Sequence, residues 1–305
     1  MSDISYKNYK SLAEAFVDLY GPGISIAHTD RLTGGDINKA YKLYLSNGKT
    51  IFMKANSFEN SPFFTAEAAG LTALASSGCI GIPEILCTGT DPGEQAGWSF
   101  LLLTYLDSAK QKKDYWKTFG HELAALHKAP CSSFVKDGRY GFAEDNFIGS
   151  APQQNTPHDT WAGFYRDCRL APQLQRASHY FDNALKEQTV KLLDHLDTFL
   201  PEPETPSLLH GDLWVGNVLC GPDGKAWILD PACYVGNREA DIAMTELFGG
   251  IPEQFYAAYN EAFPLENGYE ERRDLYNLYQ MLNHLNLFGR SYLEPVQDIV
   301  HEYTK

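Results

Sequence analysis

The stretch Leu209-His210-Gly211-Asp212-Leu213-Trp214-Val215-Gly216-Asn217, followed by Trp227-Ile228-Leu229-Asp230-Pro231, decides how this chain is read. Asp212 precedes Asn217 by five residues and Asp230 by eighteen. Between them, Gly221-Pro222-Asp223-Gly224 predicts a hairpin turn, so one strand leaves Asn217 and another returns to Asp230. The hairpin is expected to bring both residues beneath one phosphate. Phosphoryl transfer from ATP needs this set of oxygen donors. One carboxylate orients the acceptor hydroxyl and takes its proton, while a carboxylate and an amide hold the magnesium ions that bridge the phosphates. Taken singly, Asp212 reads as a turn cap and Asp230 as a strand end. The ordered string, with its second Asp on the returning strand, points instead to a phosphotransferase.

The protein-kinase catalytic loop, H-R-D-L-x-x-x-N, has the same Asp-to-Asn spacing, and a metal-binding Asp follows further on. Asp212 is therefore the candidate catalytic base, with Asn217 and Asp230 as candidate Mg2+ ligands. The partners such chemistry needs lie upstream. Ile51-Phe52-Met53-Lys54 ends a strand in a lysine that can reach the α- and β-phosphates of ATP, and Glu67, thirteen residues on, can hold it through an ion pair. Thr33-Gly34-Gly35-Asp36-Ile37-Asn38 is the candidate phosphate-covering loop, with Gly34 and Gly35 freeing backbone N–H groups to approach ATP. It lacks G-x-G-x-x-G, so its signal is the weaker one. Thr104, Tyr105 and Leu106 would present backbone groups to the adenine edge.

Working outward, Ala40 to Leu45 and Thr50 to Ala55 flank Ser46-Asn47-Gly48-Lys49, which predicts a hairpin. A helix over Phe63 to Ser76 follows, with Ser61 as its cap, Pro62 in its first turn and Gly78 at its exit. Pro83 to Gly89 and Trp98 to Tyr105 read as two more strands. Beyond Asp107 the texture turns helical, over Asp114 to Lys128, Asp159 to Leu170 and Tyr180 to Leu200. A β-rich insert, Leu208 to Pro231, interrupts it, and helical periodicity resumes from Arg238. The expected fold is α+β and bilobal, with a nucleotide-binding lobe over 1–104 and a mostly helical catalytic and substrate lobe over 105–305.

The composition excludes several other functions. Among 305 residues, 25 are basic and 39 acidic, a formal charge of −14, which opposes binding to nucleic acid or to anionic membranes. The longest apolar run, Trp98 to Leu106, is far short of the roughly 20 residues that span a bilayer. The N-terminus has no apolar signal region, and the six cysteines are scattered without metal-ligand spacing, so a cytoplasmic protein with reduced thiols is expected. His121-Glu122 and His127 do not make a zinc motif, because H-E-x-x-H needs histidines four apart on one helix face. They read as helix-packing residues. Gly221-Pro222-Asp223-Gly224-Lys225 is a turn rather than a phosphate loop, and Leu275 to Leu287 reads as core. The sequence sets no oligomeric state.

With these residues in view, the chain resembles the fructosamine kinase (ketosamine-3-kinase) family, a branch of the aminoglycoside-phosphotransferase-like kinases. The narrower match rests on Trp214 and Gly216 within the Asp212 loop and on Arg238-Glu239-Ala240-Asp241-Ile242-Ala243-Met244-Thr245-Glu246-Leu247-Phe248-Gly249-Gly250. Tyr140-Gly141-Phe142, Asp145-Asn146-Phe147-Ile148-Gly149, Arg169-Leu170-Ala171-Pro172-Gln173-Leu174 and Leu282-Asn283-His284-Leu285-Asn286-Leu287-Phe288-Gly289 extend it across nearly the whole chain. The resemblance implies a protein-kinase-like fold and phosphorylation of a sugar hydroxyl, the 3-hydroxyl of ketosamines such as ribulosamine or fructosamine, free or on glycated proteins. It further implies that Trp214 walls the sugar site and that Asp241 is a buried acid bracing the catalytic loop. Another small acceptor, an aminoglycoside or amino alcohol, remains an alternative, as does a non-catalytic nucleotide-binding module. The chain departs from the family pattern at Asp36, where some relatives carry Cys, at Pro157, often Trp, and at Asn237, often His.

Overall fold

The computed structural model describes residues 6–33, 37–93 and 96–305. The chain divides into two compact units, Met1–Tyr115 with Leu219–Asp230, and Trp116–Val218 with Pro231–Lys305. A single boundary at residue 104 takes no account of the hairpin before Asp230, which groups with the first unit. Two local ties account for that grouping. Ile228 N–H donates to the Gly81 carbonyl at 3.0 Å, and Lys112 N–H donates to the Gly224 carbonyl at 3.1 Å.

The first unit contains β1 (Lys7–Tyr9), α1 (Leu12–Tyr20), β2 (Ile26–Leu32), β3 (Lys39–Leu45), β4 (Thr50–Ser57), α2 (Ser61–Ala75), β5 (Ile85–Asp91) and β6 (Trp98–Thr104). Its six-stranded sheet has the order β1-β5-β6-β4-β3-β2, antiparallel except where β1 runs beside β5. The turn between β3 and β4 forms as its sequence predicts: Gly48 takes φ +82° and its N–H donates to Leu45 O at 2.9 Å. Side chains alternate across a strand, and the two sheet faces carry separate cores. Leu43, Ile51, Met53 and Leu102 pack with Phe16 of α1 on one face, and Leu101 and Leu103 pack with Phe64, Ala68 and Leu71 of α2 on the other. β6 is therefore apolar without interruption from Phe100 to Leu103. The helix expected from Phe63 begins two residues earlier. Ser61 is its first residue rather than its cap, because a 3-10 turn over Phe58–Asn60 precedes it.

In chain order the rest comprises α3 (Tyr115–Lys128), β7 (Asn146–Ile148), β8 (Ala151–Gln153), α4 (Trp161–Tyr165), α5 (Ala171–Ala177), α6 (Asn183–Asp194), α7 (Leu196–Phe199), β9 (Ser207–Leu209), β10 (Val218–Cys220), β11 (Ala226–Ile228), β12 (Tyr234–Gly236), α8 (Glu239–Leu247), α9 (Glu253–Ala262), α10 (Tyr269–Phe288) and α11 (Leu293–Glu302). The single helix expected over Tyr180 to Leu200 is two. Asp182 caps α6 by accepting from Leu185 N at 2.8 Å, and His195 leaves helical geometry between α6 and α7. Buried α10 is the centre of the second unit. It is tied to α8 by a two-point ion pair, with Arg272 Nε donating to Glu239 Oε2 at 2.8 Å and Nη2 to Oε1 at 2.6 Å. Removing one partner of such a buried pair costs about 3–5 kcal/mol. Among the described residues no helix is long and apolar enough to cross a membrane.

Candidate active site

Strand alternation places Lys54. Ile51, Met53 and Ala55 face the α1 core, so Phe52 and Lys54 face α2. On α2, Glu67 follows Phe64 by three residues and precedes Leu71 by four, so it lies on the helix face turned to the sheet. The ammonium donates to Glu67 Oε1 at 2.7 Å and to Asp230 Oδ1 at 2.5 Å. Lys54 and Glu67 are almost wholly buried, whereas the Asp230 side chain is 49% exposed. Burial alone would lower the lysine, but the charges of Asp230 and Glu67 outweigh it and hold it well above its ordinary range. Burial pushes the Glu67 carboxyl up; Lys54 opposes this and Asp230 adds to it. One cation thus serves two carboxylates, an excess of one negative charge. Asp230 also has φ +56°, left-handed backbone that few non-glycine residues adopt.

The other expected nucleotide contacts fall in the same unit. Thr104 ends β6 with its N–H on the Glu84 carbonyl at 2.9 Å and its Oγ1 accepting from Glu84 N at 3.1 Å. Tyr105 and Leu106 lie just past the strand ladder, partly buried, and Lys42 Nζ sits 3.9 Å from the centre of the Tyr105 ring. Gly34, Gly35 and the departure at Asp36 lie outside the described residues.

The second unit holds the loop. Leu209 of β9 pairs with Tyr234 of β12, and Ala232 N–H donates to the His210 carbonyl at 2.9 Å, which fixes the loop against the segment after Pro231. Gly211 makes this possible. Its φ is +82°, and a Cβ there would stand 2.0 Å from the Ala232 carbonyl oxygen. Asn217 Nδ2 donates to the Asp212 carbonyl at 2.8 Å and to its carboxylate Oδ2 at 3.2 Å. With the nitrogen committed to Asp212, the Asn217 amide presents its oxygen elsewhere. An amide oxygen and a half-exposed carboxylate are hard donors of the kind Mg2+ takes, so the donor chemistry of Asn217 and Asp230 fits the ion.

Asp241 lies beneath the loop. Its Oδ2 accepts from His210 N at 2.7 Å and its Oδ1 from Gly211 N at 2.8 Å. His127 Nε2 lies 3.2 Å from Asp241 Oδ2, and His127 Nδ1 lies 2.8 Å from the hydroxyl of Tyr259. Burial would raise the Asp241 carboxyl, but the His127 hydrogen bond and charge, with smaller contributions from His210 and Gly211 N–H, hold it below the usual carboxylate range. The reading of His127 as a packing residue missed this role. No local pattern signals it, because the two partners are 114 residues apart. Trp214, 37% exposed, folds over Gly216, where a Cβ would meet its ring at 2.3 Å, and lies edge-on to Phe248 with ring centres 6.0 Å apart. At Asn237, Oδ1 accepts from Glu239 N at 3.0 Å, while the buried Nδ2 has no hydrogen-bond partner among the described residues.

A strand lysine paired with a helix glutamate, and an Asp-to-Asn loop pinned from below by a buried acid, are what an α+β, protein-kinase-like fold provides, and that is the fold of this chain. The chain belongs to the fructosamine kinase family, whose model matches residues 8–305. It is 39% identical over 298 residues to a probable ketoamine kinase of Synechocystis, covering 96% of each chain. It is 37% identical over 289 residues to a chloroplastic protein-ribulosamine 3-kinase of rice, covering 93% of this chain and 81% of the other. Among solved structures, a putative fructosamine-3-kinase from Haemophilus somnus matches with a TM-score of 0.83 at 32% identity, covering 97% of both chains.

Proposed function

We propose that this chain transfers the γ-phosphoryl group of ATP to the 3-hydroxyl of a ketosamine, with Asp212 as the base. It is an ATP-dependent phosphotransferase with an alcohol-group acceptor, and family membership favours ketosamines over an aminoglycoside or amino alcohol. The observation that carries the site reading is the loop itself: an Asp212 carboxylate oriented by Asn217, on a backbone pinned by buried Asp241. Asp212 accepts the 3-hydroxyl proton as that oxygen bonds to the γ-phosphorus. The bond from phosphorus to the β–γ bridging oxygen breaks, and ADP departs. Lys54, fixed by Glu67, binds the α- and β-phosphates, Gly34 and Gly35 cover them, and Thr104 to Leu106 meet the adenine. Asn217 and Asp230 would hold Mg2+, which would supply charge neutralisation at the phosphates. Trp214 walls the sugar. Positioning and charge neutralisation carry most of the rate, since the transfer needs no covalent enzyme intermediate.

A 3-phosphate is a better leaving group than a hydroxyl, so the product decomposes toward free amine. The reaction is therefore a repair step for sugar-modified amines, small or protein-borne. The scattered cysteines, expected as reduced thiols, suit action in the cytoplasm. The test is phosphate transfer from ATP with magnesium across ribulose-lysine, fructose-lysine, an aminoglycoside and choline. Product on a ketosamine is expected. Product on another acceptor alone would keep the Asp212 chemistry and discard repair, and ATP binding without transfer would favour a nucleotide-binding module.

A further inference from the structure

Two stretches singled out in the sequence, one around Asn146 and one around Arg169, have no part in the mechanism above. They meet in a buried polar chain that ends on the segment following Asp230. Arg169, wholly buried, donates through Nη2 to Asn155 Oδ1 at 2.8 Å. Asn155 Nδ2 donates to Asn146 Oδ1 at 3.0 Å, and Asn146 Nδ2 donates to the Cys233 carbonyl at 2.7 Å. Gln153, the register partner of Asn146 across β7 and β8, donates through Nε2 to Asn146 Oδ1 at 2.7 Å and to the Ala232 carbonyl at 3.0 Å. Its Oε1 accepts from the Tyr279 hydroxyl at 2.7 Å.

The direction of this chain is forced. A guanidinium only donates, so Asn155 must turn its oxygen to Arg169 and its nitrogen to Asn146. Asn146 must then offer its oxygen, which leaves its nitrogen for Cys233. The Arg169 guanidinium also rests on the carbonyls of Gln154 and Cys168 and on ring faces, 3.9 Å from the centre of Tyr234 and 4.6 Å from that of Phe164. Each donor polarises the next, so the terminal amides bind their carbonyls more strongly than isolated amides would.

The carbonyls at the end belong to the second and third residues after Asp230, whose left-handed backbone persists only where its surroundings over-determine it. The Ala232 carbonyl is also the one that would stand 2.0 Å from a Cβ at Gly211. The clamp therefore sets the exit of Asp230 and the surface on which the catalytic loop rests. We propose that Asn146 and Gln153 are positioning residues for the metal-binding Asp230, gripping the two carbonyls that follow it. This rests on the reading of Asp230 as a magnesium ligand.

The test is calorimetric binding of a non-hydrolysable ATP analogue with and without Mg2+, in wild type, Asp230→Asn, Gln153→Met and Tyr279→Phe. Asp230→Asn should abolish most of the magnesium-dependent gain in affinity. Gln153→Met, isosteric but without donors, should cut that gain at least fivefold while leaving magnesium-free affinity within twofold. Tyr279→Phe removes only the hydroxyl that holds Gln153 and should cut the gain two- to threefold, a readout that stands if Gln153→Met fails to fold. An unchanged gain in Tyr279→Phe and in any folded Gln153→Met, alongside its loss in Asp230→Asn, overturns the positioning role alone. A gain absent from wild type, or retained in Asp230→Asn, overturns the reading of Asp230 and the clamp with it.

Discussion

The two charged clusters are built in opposite ways. Around Lys54 the structure positions side chains: strand alternation turns the lysine toward α2, and two carboxylates hold its ammonium. Around Asp212 it positions backbone: buried Asp241 grips two consecutive N–H groups, and Gly211 lets the loop rest on the Ala232 carbonyl. A charge network can lose a member and keep its shape. A pinned backbone cannot, because each released N–H becomes a buried, unpaired donor. The Lys54 cluster, proposed above to bind ATP, should therefore tolerate substitution in stability and lose ATP affinity, whereas the brace under the Asp212 loop should fail in stability and turnover together.

The widest separation between the clusters is expected from Asp241→Ala. Two buried N–H groups and His127 lose their partner, so urea melts should show a loss of about 2–5 kcal/mol, and kcat should fall by more than a hundredfold. A melt within about 0.5 kcal/mol of wild type would dissolve the contrast. Glu67→Gln should raise KM for ATP about tenfold, roughly 1.4 kcal/mol of binding, with a smaller change in kcat. Because burial already penalises the Glu67 charge, its melting temperature should stay within a few degrees, and a collapse comparable to Asp241→Ala would show that both clusters are structural braces.

The pH dependence sharpens the comparison further. The Asp241 carboxyl is held below its unfolded value near 3.9, so its contribution is fully present above that value and is lost as pH falls through the folded one. Stability should therefore drop more steeply below about pH 4 in wild type than in a folded Asp241→Asn variant, and parallel acid profiles would contradict the assignment. The smallest effect is reserved for exposed Trp214: Trp214→Ala should leave stability within about 1 kcal/mol and KM for ATP unchanged, while raising KM for the sugar acceptor. An altered ATP affinity with unaltered acceptor affinity would move Trp214 out of the sugar site.

The sequence was most legible where chemistry and local geometry share a short stretch. The Asp212 loop, the β3–β4 hairpin and the Lys54-bearing strand all have spacing or turn residues that carry their own meaning. β1 and α1 are not legible in the sequence, because a three-residue strand and a nine-residue helix give too few periods to read. The hairpin of β10 and β11 is legible as a hairpin from its turn residues, but its grouping with the first unit involves Gly81 and Lys112, more than a hundred residues upstream. The pairing of His127 with Asp241, and the run from Arg169 to Cys233, are likewise long-range hydrogen bonds. Such contacts leave single polar residues on otherwise apolar faces, which a reading of periodicity discounts as packing.

The most direct measurement is phosphorus NMR of fructose-lysine incubated with ATP and Mg2+, using wild type and Asp212→Asn, with ATP-analogue affinity measured on both. Wild type should produce a sugar phosphomonoester as ATP is consumed. Asp212→Asn should lose about 10²–10⁴-fold of that rate, the usual worth of a positioned base, while its melting temperature and analogue affinity stay near wild type. Turnover at the wild-type rate by Asp212→Asn, or loss of nucleotide binding in step with turnover, would contradict the account.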